Sequence, residues 1–156
     1  MTGSGVWLGV DPGEVRIGVA ISDPQGVLAV PVETINSDKA AIQTLVGLAS
    51  ERDVVLIVVG LPRSLSGEEG SAAQRSRNFA TRLASATSIP VCLLDERMTT
   101  VSATRQLQEA GRSSRSSRQV VDQVAAVVIL QSALDARSAK GTVVGESVPP
   151  EAEGQS

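Results

Sequence analysis

Three short acidic segments hold the residues whose types and spacing could do chemistry: Val10-Asp11-Pro12-Gly13, Leu94-Asp95-Glu96-Arg97 and Val121-Asp122-Gln123. The first two end or interrupt apolar, strand-like runs, and the third lies near the start of a strongly apolar helical stretch. A carboxylate in an apolar setting is expensive unless a cation compensates it. If the fold draws the three together, the natural compensator is a pair of divalent metal ions. Taken singly, the same acids could be helix caps or surface groups among the 17 Asp and Glu residues of the chain.

The rest of the composition narrows the choice. The chain has no histidine and one cysteine, which excludes Ser-His-Asp and Cys-His catalysis, an HExxH zinc site and an imidazole base. Hard oxygen ligands remain, and these suit Mg²⁺ or Mn²⁺. Cys92, inside the apolar run Val91–Leu94, is expected to be a buried structural thiol. Trp7 and Phe79 are the only aromatics, so the core must be aliphatic and stacking of bases on aromatic platforms is nearly excluded. No run approaches the ~18 apolar residues of a membrane span. The N-terminal Met1-Thr2-Gly3-Ser4-Gly5 has no charged signal region. A cytoplasmic protein without membrane attachment is expected.

A net charge of −3 is awkward for a polyanionic partner. The tail from Ala139 sets Lys140 against Glu146, Glu151 and Glu153, so the rest is close to neutral. Arg97, Arg105, Arg112, Arg115 and Arg118 face Glu109 alone in their stretch, and local fields decide where a polyanion docks. A solvated loop with incidental arginines is the competing reading.

Val6–Val10, Arg16–Ser22 and Val27–Ile35 read as an antiparallel meander with turns at Asp11-Pro12-Gly13-Glu14 and Asp23-Pro24-Gln25-Gly26. Ser37 or Asp38 could cap a helix through Ala49. Val54–Val59 is a strand buried on both faces, followed by a flexible Gly/Ser rim at Gly67–Gly70. A helix over Ala72–Ala86, a strand at Val91–Leu94 and a helix from Thr99 or Thr100 to Ala110 come next. Arg112–Arg118 reads as a polar connector, and Gln119–Arg137 as the last helix. The pattern implies an α/β domain over residues 1–138 and a disordered tail over 139–156. Its mixed five-stranded sheet combines the three-strand meander with two parallel strands and carries helices on both faces. Asp11 and Asp95-Glu96 then fall at one sheet edge. The final helix can deliver Asp122 there, because Ala125 and Ala126 are small enough for close approach.

Cleaving a phosphodiester by a two-metal route needs carboxylates that hold two ions about 4 Å apart, and no side-chain nucleophile. Four motifs in order bear on this: Leu8-Gly9-Val10-Asp11-Pro12-Gly13 with Arg16-Ile17-Gly18-Val19-Ala20; Ile57-Val58-Val59-Gly60-Leu61-Pro62; Asp95-Glu96-Arg97-Met98-Thr99-Thr100; and Asp122-Gln123-Val124-Ala125-Ala126-Val127-Val128-Ile129-Leu130. Together they resemble the YqgF family, also called RuvX, of Holliday junction resolvases, over roughly residues 6–137. The resemblance implies an RNase H-like fold and nucleolytic maturation of the 5′ end of pre-16S ribosomal RNA. By position it implies a catalytic set of Asp11, Glu96, Asp122 and Asp95, with Asp11, Glu96 and Asp122 holding Mg²⁺ or Mn²⁺. Gly60 stands where the related RuvC resolvases carry a glutamate, so Glu96 or Asp95 takes that role. Strand alternation lets only one of the pair face the metals; Glu96 is favoured, with Asp95 capping the following helix.

Six arginines are candidates for substrate phosphates. Arg16 could instead pair with Glu14 or Asp23, and Arg97 could neutralise the carboxylates. Arg63 follows the Gly60-Leu61-Pro62 turn. Arg118 stands where family members often have lysine, flanked by Arg112 and Arg115. The implied partner is nucleic acid, either pre-rRNA, with the small-subunit precursor, or branched DNA. The chain could act as a monomer or a homodimer. Competing readings are a resolvase of four-way DNA, a non-catalytic nucleic-acid-binding assembly module, and an actin-like phosphate-binding fold, for which the chain is too short.

Overall fold

In the computed structural model the described residues are 5–64, 66–98, 115–143 and 145–150, with the side chains of 98 and 115–122 excepted. The chain opens with the expected meander: β1 (Val6–Pro12), β2 (Arg16–Ser22) and β3 (Ala29–Asn36). Asp23 builds the β2–β3 turn by accepting hydrogen bonds from the amides of Val27 and Leu28, each at 2.8 Å. Those amides hold its carboxyl below the usual carboxylate range. Gly26, at φ 72°, lets the turn close.

α1 (Ala41–Glu51) follows a turn in which the Asp38 carboxylate accepts from the Ala40 amide at 3.0 Å. β4 (Val54–Leu61), α2 (Ser71–Ala86) and β5 (Val91–Asp95) come next, then a short 3₁₀ turn, Glu96–Met98. The helix expected between Thr99 and Ala110 lies outside the described residues. α3 (Arg115–Lys140) starts earlier and runs further than expected, taking in Arg115–Arg118 of the supposed connector. Neither Gly nor Pro interrupts that stretch, and Ser and Arg tolerate a helix.

The sheet order is β3-β2-β1-β4-β5-β6, with β1, β4 and β5 parallel and the other neighbours antiparallel. It therefore has six strands where five are expected. The extra one, β6 (Glu146–Val148), comes from the tail expected to be disordered, and pairs with Val91–Leu93 of β5. Its anchor is an ion pair from Glu146 to Arg77 of α2 at 2.9 Å, a partner 69 residues away that no local pattern reveals. Pro31 sits inside the opposite edge strand, β3, beside a bulge.

Period-two alternation sorts the strand residues onto two cores. Leu8, Val10, Ile57, Val59, Leu61, Val91 and Leu93 face α1 and α2. Trp7, Leu56, Val58, Cys92 and Leu94 face α3, meeting Ala125, Ala126, Ile129, Leu130 and Leu134. Burial pushes the Cys92 thiol up to about 11, as suits a structural cysteine. Arg137 lies 4.9 Å from the Trp7 ring centroid and donates to the Gly26 carbonyl at 3.1 Å, which ties the end of α3 to the first hairpin. Gln131 accepts from the Ala29 amide at 2.9 Å and donates to the Val27 carbonyl at 2.9 Å. No described helix is long and apolar enough to cross a membrane.

Candidate active site

The carboxyl ends of the parallel strands β1, β4 and β5 carry Asp11, Gly60 and Asp95-Glu96. The register pairs Val10 with Val59, and Gly60 with Leu94, so these ends lie side by side. Alternation puts Asp11, two residues beyond Gly9, on the face covered by α3, and Gly60 on the same face. Asp11 is 5% exposed and Glu96 4%, which makes them the two buried carboxylates among the described residues. A buried carboxylate is retained at such expense where its charge is used.

Gly60 shows how Glu96 gets there. A methyl group on Gly60 would lie 2.8 Å from Glu96 Oε2 and 2.5 Å from Ile129 Cδ1. The missing side chain on β4 is thus the space into which Glu96 reaches from β5. Glu96 thereby shares the α3 side of the sheet with Asp11.

Asp95 has the opposite parity and a different set of partners. Its Oδ1 accepts from the Arg97 amide at 2.9 Å, capping the 3₁₀ turn. Its Oδ2 is bound by Arg97 Nη2 at 2.6 Å and by Arg63 Nη1 at 3.1 Å. The Arg97 guanidinium holds the Asp95 carboxyl below the usual carboxylate range. Arg63 and Arg97, both expected near substrate, are therefore engaged with Asp95. Arg63 also binds Glu69 at 2.9 Å, and Glu69 binds Arg77 at 2.7 Å. Arg77 holds the Glu69 carboxyl down to about 2. At the rim after β4 the Ser64 carbonyl accepts from the Gly67 amide at 2.8 Å.

α3 crosses β1 where β1 has no side chain. A methyl group on Gly9 would sit 2.6 Å from Leu130 Cβ and 3.1 Å from the Ala126 carbonyl oxygen. Arg137 lies over Trp7 and Ala126 over Gly9, so the helix runs antiparallel to β1. From Gly9 to Asp11 the strand advances about 6.6 Å, which matches about four helical residues at 1.5 Å each. Four residues before Ala126 is position 122. Asp122 lies within α3, but its side chain, like those of Arg115 and Arg118, is outside the described residues, as is Arg112 altogether. Arg16 opens β2, across the turn from Asp11.

Among the described residues no group of three carboxylates gathers into a metal cage. The two buried carboxylates, Asp11 and Glu96, offer hard oxygen donors of the kind that fit a divalent ion such as Mg²⁺ or Mn²⁺ and not zinc, and position 122 lies on the helix that covers the same face. Glu69, Arg77 and Glu146 were invisible to sequence reasoning as neighbours of this site, because their pairing depends on α2 lying across β5.

Known proteins resemble this chain over most of its length. The family description "RuvX: Holliday junction resolvase" matches residues 5–136. A protein of Nocardioides sp. (strain ATCC BAA-499 / JS614), named "Putative pre-16S rRNA nuclease", is 54% identical over 151 residues, covering 93% of this chain and 97% of the relative. Proteins of the same name from Clavibacter michiganensis subsp. michiganensis and Mycobacterium ulcerans are 48% and 50% identical, covering 91% and 87% of this chain and 90% and 82% of their own lengths. Among solved structures, Thermus thermophilus RuvC in complex with a Holliday junction substrate superposes with a TM-score of 0.56 at 13% identity, covering 92% of this chain and 99% of that one. That likeness shows the RNase H-like fold alone. The chain belongs to the RuvX family of Holliday junction resolvases.

Proposed function

We propose that this protein is a divalent-metal-dependent endonuclease that trims the 5′ end of pre-16S rRNA. The observation that carries the reading is the burial of Asp11 and Glu96 on one face of the sheet, at the ends of β1 and β5 on either side of β4, with the Glu96 carboxylate over Gly60. The substrate is inferred from relatives named for pre-16S rRNA at about half identity over nearly the whole chain. Asp11, Glu96 and Asp122 would hold Mg²⁺ or Mn²⁺. Bound there, the metal would supply an activated water and charge stabilisation at the cleaved phosphate. The residues themselves fix the ligand oxygens on a rigid sheet and exclude bulk water through the α3 packing at Ala126 and Ile129. Arg112, Arg115 and Arg118 are proposed to meet the substrate backbone, and Arg16 to bind a phosphate beside the turn.

A second reading, cleavage of four-way DNA, is favoured by the family description and by the fold shared with junction-bound RuvC. The deciding experiment presents a pre-16S 5′-leader RNA and a four-way DNA junction side by side, with and without Mg²⁺ or Mn²⁺. Metal-dependent cleavage of the RNA, lost by about 10³-fold or more in Asp11→Asn with unchanged folding, is expected. Cleavage of the junction alone establishes the resolvase. Binding of either nucleic acid without cleavage by the wild type leaves only a binding module.

A further inference from the structure

Asp95 is the acid beside Glu96, yet among the described residues its partners are cationic side chains and a backbone amide. It faces the α1 and α2 side of the sheet, away from Asp11, and its oxygens are bound by Arg97 and Arg63. The same two arginines anchor the loop after β4. Arg63 reaches Glu69 at 2.9 Å, while Arg97 Nη1 lies so close to Gly67 that a methyl group there would be 3.2 Å away. Gly67 has φ 95°, so a side chain would also strain the backbone. From Glu69 the pairing continues through Arg77, at 2.7 Å, to Glu146 of β6, at 2.9 Å. Six alternating charges, Arg97–Asp95–Arg63–Glu69–Arg77–Glu146, therefore run from the strand end that carries Glu96 to the sheet edge.

An exposed pair contributes about 0–1 kcal/mol, because two long side chains must be held in one geometry. A linked series costs less entropy per pair, since each arginine already held by one acid meets the next with little freedom left to lose. Asp95 is the member that joins the series to the backbone, through the cap on the Arg97 amide. That cap spans the start of the turn at Glu96–Met98, which directly follows β5 and opens with Glu96.

We propose that Asp95 is a positioning residue: locked by Arg63 and Arg97, it fixes the turn that aims Glu96 over Gly60 at the metal site. The inference rests on the metal-site reading above. Outer-sphere partners that orient a ligand typically change metal affinity or activity by about 10–100-fold when removed. Asp95→Ala removes both the cap and the charge. Asp95→Asn keeps an oxygen for the Arg97 amide and loses the charge. Arg63→Met removes one arm of the lock and leaves the cap.

The test titrates the folded full-length protein with Mn²⁺ alone, by calorimetry and by the electron paramagnetic resonance signal of bound Mn²⁺. It also measures kcat and KM on the leader RNA. Asp95→Ala is expected to weaken Mn²⁺ binding at least tenfold and to lower kcat with KM for RNA unchanged. Asp95→Asn should recover part of both, and Arg63→Met should lose a few-fold. If Asp95→Ala does not fold, the Asn and Met variants carry the same comparison. Wild-type Mn²⁺ affinity and kcat in all folded variants overturn the positioning role while leaving the metal site standing. A wild type that binds no Mn²⁺ overturns the metal site and the positioning role with it. A KM effect with unchanged kcat and Mn²⁺ binding would instead make Asp95 part of the substrate surface and overturn the proposal.

Discussion

Gly60→Ala puts one methyl group into the gap that the Glu96 carboxylate occupies. The added carbon would lie 2.8 Å from Glu96 Oε2 and 2.5 Å from Ile129 Cδ1. Ordinary contacts begin near 3.4 Å, so the carboxylate must retreat by about 0.6 Å and the isoleucine methyl by about 0.9 Å. Overpacking of this kind destabilises by about 1–3 kcal/mol, or about 2–4 °C in Tm per kcal/mol for a chain of this size. A misplacement near 1 Å in a catalytic constellation lowers the rate by about 10². A carboxylate moved by about half that distance should therefore lose between roughly tenfold and a hundredfold. Single-turnover cleavage of the leader RNA, with thermal melting alongside, separates the two effects. The double variant Gly60→Ala with Ile129→Val removes only the Cδ1 clash, so it should recover part of the Tm and none of the rate. If Gly60→Ala cleaves at the wild-type rate although its Tm falls, the Glu96 carboxylate has no need of that gap, and the assignment of Glu96 over Asp95 loses its geometric basis.

Two further outcomes follow from the packing and from the charge series. Gly9→Ala would place a methyl group 2.6 Å from Leu130 Cβ and 3.1 Å from the Ala126 carbonyl, neither of which can swing aside, so α3 must lift from β1. A drop of about 1–3 kcal/mol in urea unfolding is expected, together with lost cleavage because Asp122 rides on the same helix. Glu69, held at about 2 in the folded protein against an ordinary 4.5, stabilises the fold above about pH 4.5 and loses that contribution as the pH falls toward 2. Glu69→Gln should therefore flatten the fall of Tm between pH 4.5 and 2, followed by circular dichroism. An unchanged slope would show that the ion pairs of Glu69 with Arg63 and Arg77 do not stabilise the fold.

The strand and helix pattern was legible because the core is built on strict alternation. Leu8 and Val10 against Trp7, or Ile57 and Val59 against Leu56 and Val58, announce buried strands before any contact is known. The location of Asp11 at a strand end and the close approach of the last helix at Ala126 followed from the same reading. The Asp95-Glu96 ambiguity could be framed from sequence, whereas the Glu96 oxygen above Gly60 and the arginines gathered on Asp95 are contacts that sequence does not display. β6 escaped because three residues that begin with a glutamate carry no hydrophobic period, and their partners on β5 and at Arg77 are distant in sequence. Arg63 is expected at the substrate because it follows the Gly60-Leu61-Pro62 turn, and Arg97, beside Asp95-Glu96, either at a phosphate or neutralising the carboxylates. Their ion pairs are set by a loop fold that sequence does not display.

The sheet's two outer strands also govern how this protein behaves in a crowded solution. A core as aliphatic as Val54–Leu61 is, once exposed at an edge, a template for pairing with other chains. Here one border is held by β3, interrupted by Pro31, and the other by β6, which is three residues long, begins with Glu146 and is followed by Pro149 and Pro150. Proline offers no amide hydrogen to an incoming strand, and a charged, abbreviated border gives it little length to grip. β6 therefore does more than complete the count of strands. It covers the border of β5 over Val91–Leu93, so the outer edge of the sheet there is a charged three-residue strand in place of the aliphatic β5.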